Sequence, residues 1–189
     1  MIHEREEFQK TFRKWWKSVS GFREASADQE EEREAPDRGM RAELCRAKSP
    51  LEVCMTAAFG GGLLPLLEAR GIGVAEAELV PLAMLAGIGA HVRTPVEGTP
   101  FARLMAAPAR EGGGTAAVAP ARFRKLLRIQ EPDDLYTMLV RLVKMTGQRT
   151  NFKSLAWACF KWDDATRVEW AKNYYNALPS KQREQNQTK

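Results

Sequence analysis

Cysteine is scarce in this chain. There are three, Cys45, Cys54 and Cys159, an odd number with no paired spacing. That excludes a disulfide-framed scaffold and leaves reduced, buried thiols in a cytoplasmic protein as the expectation. Histidine is scarcer still. Neither His3, near what reads as a loose terminus, nor His91, in a loop-like stretch, stands at a metal-ligand spacing from Cys, Asp or Glu. No apolar run approaches the ~18 residues that a membrane span needs. The opening MIHEREEFQKTF is charged throughout and lacks the apolar core of a secretion signal. Absent too are GxSxG, a glycine loop ending in Lys-Ser/Thr, and His-Glu-x-x-His. The glycine runs at 60–62 and 112–114 read as helix breakers or linkers rather than phosphate cradles. The pairs Asp133-Asp134 and Asp163-Asp164 suggest a metal nuclease only until their position is considered, because each lies where a helix should begin. No metal, no cofactor and no catalytic activity are therefore expected.

What the chain does have is helical periodicity. Phe8, Phe12, Trp15, Trp16 and Val19 repeat at i, i+4, i+7, i+8 and i+11, the pattern of an amphipathic helix. The polar, acidic stretch Ala25–Arg38 reads as a solvated loop. Ser49-Pro50-Leu51-Glu52 is a helix start, with a Ser cap, Pro at the first position and Glu three residues after the cap. The glycines at 60–62 should end or kink that helix. Another helix is predicted over Val74–Leu85, bent at Pro81. Thr99-Pro100 repeats the cap-plus-proline signal before Phe101–Met105.

Residues 106–120, AAPAREGGGTAAVAP, read as a linker, since Gly, Ala and Pro bury no face. Beyond it, Leu135, Met138, Leu139, Leu142 and Val143 form an i, i+3, i+4, i+7, i+8 stripe that Gly147 closes. Asn151 can cap a helix over Phe152–Trp162, and Asp163 or Asp164 one running through Tyr174 and Tyr175. Strand-like alternation is missing. The expected fold is all-α, with a helical lobe over 1–105, the linker 106–120, a basic helical lobe over 121–178 and a polar tail over 179–189. Phe12, Trp15, Leu126, Leu127, Leu135, Leu139 and Leu142 are the expected core.

The net charge of +5 is unevenly spread. Residues 115–189 hold 14 Lys+Arg against 7 Asp+Glu, so the C-terminal part alone carries +7. Clustering of that kind is the footprint of a nucleic-acid surface. Its densest piece is ARFRKLLRI, 121–129. Phe123, Leu126 and Leu127 share one helical face, while Arg124, Lys125 and Arg128 fall on the other, with Arg122 at the flank. In the Leu135 helix, Arg141 and Lys144 lie opposite the apolar stripe. Lys153, Trp157 and Lys161 form a cation–aromatic–cation line suited to a single strand, with charge for phosphates and a ring for a base. The alternative for that line is that Trp157 packs against a neighbour while the lysines are simply solvated.

The order of these pieces resembles CasB, the small subunit of the type I-E CRISPR surveillance complex Cascade. The matching pieces are Phe12-Arg13-Lys14-Trp15-Trp16, AELCRAKSPL over 42–51, Phe101–Met105, RFRKLLR over 122–128, the Leu135–Lys144 helix and Trp162–Tyr175. The resemblance implies two small helical bundles without catalysis. It implies a homodimer beside the guide RNA and target DNA, partnered by the large and backbone subunits and holding the displaced strand so that the R-loop stays open. The family's basic contacts would fall on Arg46, Arg128 and Arg141. After Trp162, where relatives place basic residues, this chain has Asp163-Asp164-Ala165-Thr166, so Lys161 or Arg167 would take over. Two other readings of the sequence stand beside this one, a structural scaffold subunit without DNA contact and a small helix-turn-helix regulator.

Overall fold

The structure, a computed structural model, describes residues 1–22, 38–108 and 114–179. The expected acidic loop before Arg38, part of the 112–114 glycine run and the tail beyond 179 lie outside the described residues. The fold is essentially all-α. The chain divides into two compact units, Met1–Arg93 and Thr94–Lys189.

The first unit is organised by α1 (Glu6–Ser20), which buries Phe8, Phe12, Trp15, Trp16 and Val19, the five positions the periodicity selects. Gly21, at φ 67°, closes the helix by donating to the Lys17 carbonyl. Helices α2 (Arg38–Arg46) and α3 (Pro50–Cys54) pack on the later helix α5 (Glu76–Ala90). Ser49 caps α3 as expected, its Oγ accepting from Glu52 N at 3.2 Å, while Glu52 reaches back to accept from Lys48 N.

The glycines at 60–62 do not end a helix. They lie inside a π-helical turn, Ala58–Leu63, that runs on into α4 (Leu64–Glu68). A Cβ at position 62 would stand 3.3 Å from Trp15 Nε1, so the absent side chain lets the tryptophan pack close. Helix α5 continues past the predicted Leu85, because Leu82–Ala90 is buried throughout and its small residues admit close neighbours. Trp16 donates its indole N–H to the Gly89 carbonyl at 3.0 Å, tying α1 to that buried end. His3, expected in a loose terminus, is instead buried in a short 3₁₀ turn, Ile2–Glu4; Glu78 fixes that turn by accepting from Ile2 N at 2.9 Å.

The second unit begins with β1 (Thr94–Pro95), paired in parallel with β2 (Arg149–Thr150). Two residues per strand are too few to leave an alternating signature in the sequence. Helix α6 (Phe101–Ala106) packs against α10 (Asp164–Ala177), with Phe101 edge-on to Trp170. Its N-terminus is satisfied by Ser154 Oγ, which accepts from Phe101 N at 3.2 Å, rather than by Thr99. The division between units therefore precedes α6, and does not fall at the 106–120 segment. That segment is no free spacer where it is described. Val118 is fully buried, its N–H donates to the Met105 carbonyl, and its carbonyl accepts from the Tyr174 hydroxyl.

Helix α7 (Pro120–Leu127) starts with Pro at its first position, and α8 (Pro132–Met145) does the same. The apolar stripe of α8 is buried in full. At its end Gly147 (φ 69°) donates to Lys144 and Gln148 to Val143, the paired bonds of a Schellman closure. Helix α9 (Phe152–Phe160) ends two residues before the predicted Trp162, because Lys161 leaves helical geometry. Asp163 caps α10, its Oδ1 accepting from Thr166 N at 2.8 Å.

Asn151 serves two elements at once. Its Oδ1 caps α9 by accepting from Ser154 N at 2.8 Å, and its Nδ2 donates to the Val96 carbonyl at 2.9 Å. Asn151→Ala removes the cap and strips a part-buried carbonyl of its donor. Its cost should fall in the upper part of the about 0.5–2 kcal/mol range for lost caps. Asn151→Ser, which can keep a cap acceptor but is too short to reach Val96, should cost less; urea denaturation of both variants distinguishes the two roles.

Candidate nucleic-acid interface

The basic face of the second unit is built on a rigid support. Phe123 and Leu126 of α7 are fully buried and Leu127 half-buried, so the expected apolar face is formed, though less completely at Leu127. The Phe123 ring stacks on Tyr174 at 3.8 Å and 7°, while Tyr175 meets it edge-on. Burial pushes the Tyr174 hydroxyl pKa up, and it stays a neutral donor to Val118. With one face fixed in this way, helical geometry turns the cations outward. Arg122, Arg124, Lys125 and Arg128 are all exposed. Arg122 Nη1 also donates to Met145 Sδ at 3.0 Å, which ties α7 to the end of α8.

On α8, Arg141 and Lys144 are exposed opposite the buried stripe, and Lys153 is exposed on α9. Among the described residues no ion pair is formed by Arg124, Lys125, Arg128, Arg141, Lys144 or Lys153. Four acids of this unit stand at helix starts. Asp133 and Asp134 occupy the first turn of α8, Asp163 caps α10, and Asp164 starts it. Thr94–Lys189 holds 16 Lys+Arg against 9 Asp+Glu, so the charge asymmetry follows the structural division.

Three expected residues have a different setting. Lys161 lies beyond the end of α9, 5.6 Å over the Trp157 ring and 3.8 Å from Asp163. The cation–aromatic pair is thus formed, but not as part of one continuous helical line. Arg167 is turned inward, with its side chain 19% exposed. Its guanidinium donates to Asp164, to the Ile129 carbonyl at 3.2 Å and to the Trp162 carbonyl at 3.3 Å. Trp162 donates to the same Ile129 carbonyl. Arg167 therefore clamps the α7–α8 turn to α10, and few of its donors face outward. Arg46 ends α2 in the other unit; it is exposed, and its Nε donates to the Ala42 carbonyl.

Sequence reading passed over Arg103, Arg149 and Lys172, all exposed on the second unit. Each stands alone in its own segment, so only the fold shows that they belong to the same basic unit. Chemistry of another kind is thinly supplied. Among the described residues no group of three His, Cys, Asp or Glu side chains converges as a metal site. Burial pushes the Cys159 thiol pKa far up, which keeps it protonated and inert. No described helix is long and apolar enough to cross a membrane.

Neither the curated proteins nor the solved structures contain a match to this chain. The family model of the CRISPR-associated protein Cse2 matches residues 40–175, from within α2 to near the end of α10. That span takes in all of the motifs behind the CasB resemblance except those in α1, and it includes the basic faces of α7 and α8. The chain belongs to the Cse2 family, the CasB small subunits of the type I-E Cascade complex.

Proposed function

We propose that this Cascade subunit holds nucleic-acid backbone on the exposed cations of α7 and α8, and so keeps the R-loop and its displaced strand open without catalysing any reaction. The observation that carries the reading is the α7 face, where Arg124, Lys125 and Arg128 are exposed and form no ion pair among the described residues. Like charges held together on a rigid helix repel one another, and an anionic partner relieves that repulsion. Exchange of a DNA duplex for a guide RNA–DNA hybrid is nearly balanced in energy, so modest backbone contacts tip it. Because the guide varies, the contacts must ignore sequence, as Arg and Lys on phosphate do. In this reading the large and backbone subunits, guide RNA and target DNA are the partners, with a second copy of the chain alongside. This reading assigns base stacking to Trp157, which is half-buried with Lys161 5.6 Å over its ring.

Affinity for nucleic acid should fall steeply with salt and depend little on sequence. Arg128→Ala and Arg141→Ala should each lower the slope of log K against log salt by about 0.7–0.9. Unchanged slopes in both would favour the scaffold reading, and a strong sequence preference would favour the regulator.

A further inference from the structure

All of the expected contacts but Arg46 lie on the second unit, yet the first has an electropositive feature of its own. Beside α1 is a cleft of about 320 Å³ lined by Glu7, Lys10, Thr11, Lys14, Leu66 and Arg70. Lys10 and Lys14 are one helical turn apart and project to the same side of α1, while Arg70 approaches from the turn after α4. With Glu6, which pairs with Lys10 beside the cleft, three cations face two carboxylates, a surplus of one positive charge. The ion pairs present do not cancel it. Lys10 meets Glu6 at 2.8 Å and Arg70 meets Glu7 at 3.8 Å, both between side chains about half exposed or more. Such pairs are weak and orient the cations without using up their donors. Lys14 is exposed and forms no ion pair among the described residues.

We propose that this cleft is a second phosphate-binding site, taking one phosphodiester of a bound nucleic acid; the inference rests on the nucleic-acid reading above. The shape favours phosphate over a protein carboxylate. Cations from two elements line one small space, which suits an anion presenting oxygens to several sides. A carboxylate presents two oxygens to one side. The planar fork of Arg70 can bridge two phosphate oxygens, with the lysines adding point charge. Thr11, buried at the cleft, and half-buried Leu66 limit its depth.

The test uses the full chain and a mixed-sequence single-stranded DNA across a salt series. The double variant Lys14→Gln/Arg70→Gln changes exposed side chains only and should fold as wild type, checked by circular dichroism. It should lower the log–log salt slope by about 0.7, the value of one neutralised phosphate on a single strand. Arg5→Gln, which removes an exposed cation outside the cleft, should leave the slope nearly unchanged. An equal fall in Arg5→Gln would mean a diffuse field and overturn the site. No change in the double variant, alongside a fall in Arg124→Ala/Arg128→Ala, would overturn the cleft and leave the reading for the second unit standing. No change in either double variant would remove both. An unchanged slope together with weakened assembly into Cascade would show that the cleft takes an acidic protein surface, contrary to the proposal.

Discussion

Leu139→Ala is expected to destabilise the protein by about 2–5 kcal/mol, among the largest effects of any single truncation. Leu139 is fully buried at the middle of α8, between Leu135 and Leu142 on the same stripe. Removing its side chain loses the transfer energy of the missing carbons and leaves a cavity that the flanking core side chains cannot fill without leaving their own positions. Arg141→Ala, two residues on but exposed, should stay within about 0.5 kcal/mol of wild type. Urea denaturation of the two variants measures the contrast. A Leu139→Ala midpoint equal to that of Arg141→Ala would mean that α8 does not pack as described. The contrast also bears on function, because it separates the face of α8 that builds the fold from the face offered to a partner.

Periodicity and caps made most of the helices legible in the sequence. The stripes of α1 and α8 and the caps at Ser49, Asn151 and Asp163 are local signals, and each appears where local chemistry places it. The misses come from tertiary contacts that no local pattern encodes. The glycines at 60–62 look like a break in isolation, yet packing of Trp15 against Gly62 gives them a place inside a helical turn. The 106–120 segment reads as a spacer, but burial of Val118 and the hydroxyl of Tyr174, 56 residues away, make part of it core. Arg167 illustrates the same limit at the candidate site. Its sequence position suggests a free cation, while its carbonyl acceptor at Ile129 lies in the turn between α7 and α8. The exposed cations of α7 and α8 were legible because an amphipathic helix with one buried face leaves its other face no choice.

In the proposed function, packing and nucleic-acid holding reside on opposite faces of the same helices. Replacing Arg124, Lys125, Arg128 and Arg141 together with Ala removes four exposed cations and leaves Phe123, Leu126, Leu139 and Leu142 in place. An exposed ion pair is worth about 0.2–1 kcal/mol. Four such losses, falling mainly on dissociation, shorten a nearly balanced R-loop's lifetime roughly fourfold to several-hundredfold. Reading of the short flanking motif should change less, since these four cations are assigned to backbone phosphates and not to base edges. The deciding measurement is R-loop lifetime on a matched target, made on Cascade whose subunit composition has been verified by size exclusion. A fully assembled complex with short-lived R-loops is the expected result. Wild-type lifetimes in that assembled complex would contradict it, and failure to assemble would assign these four residues to a subunit interface instead.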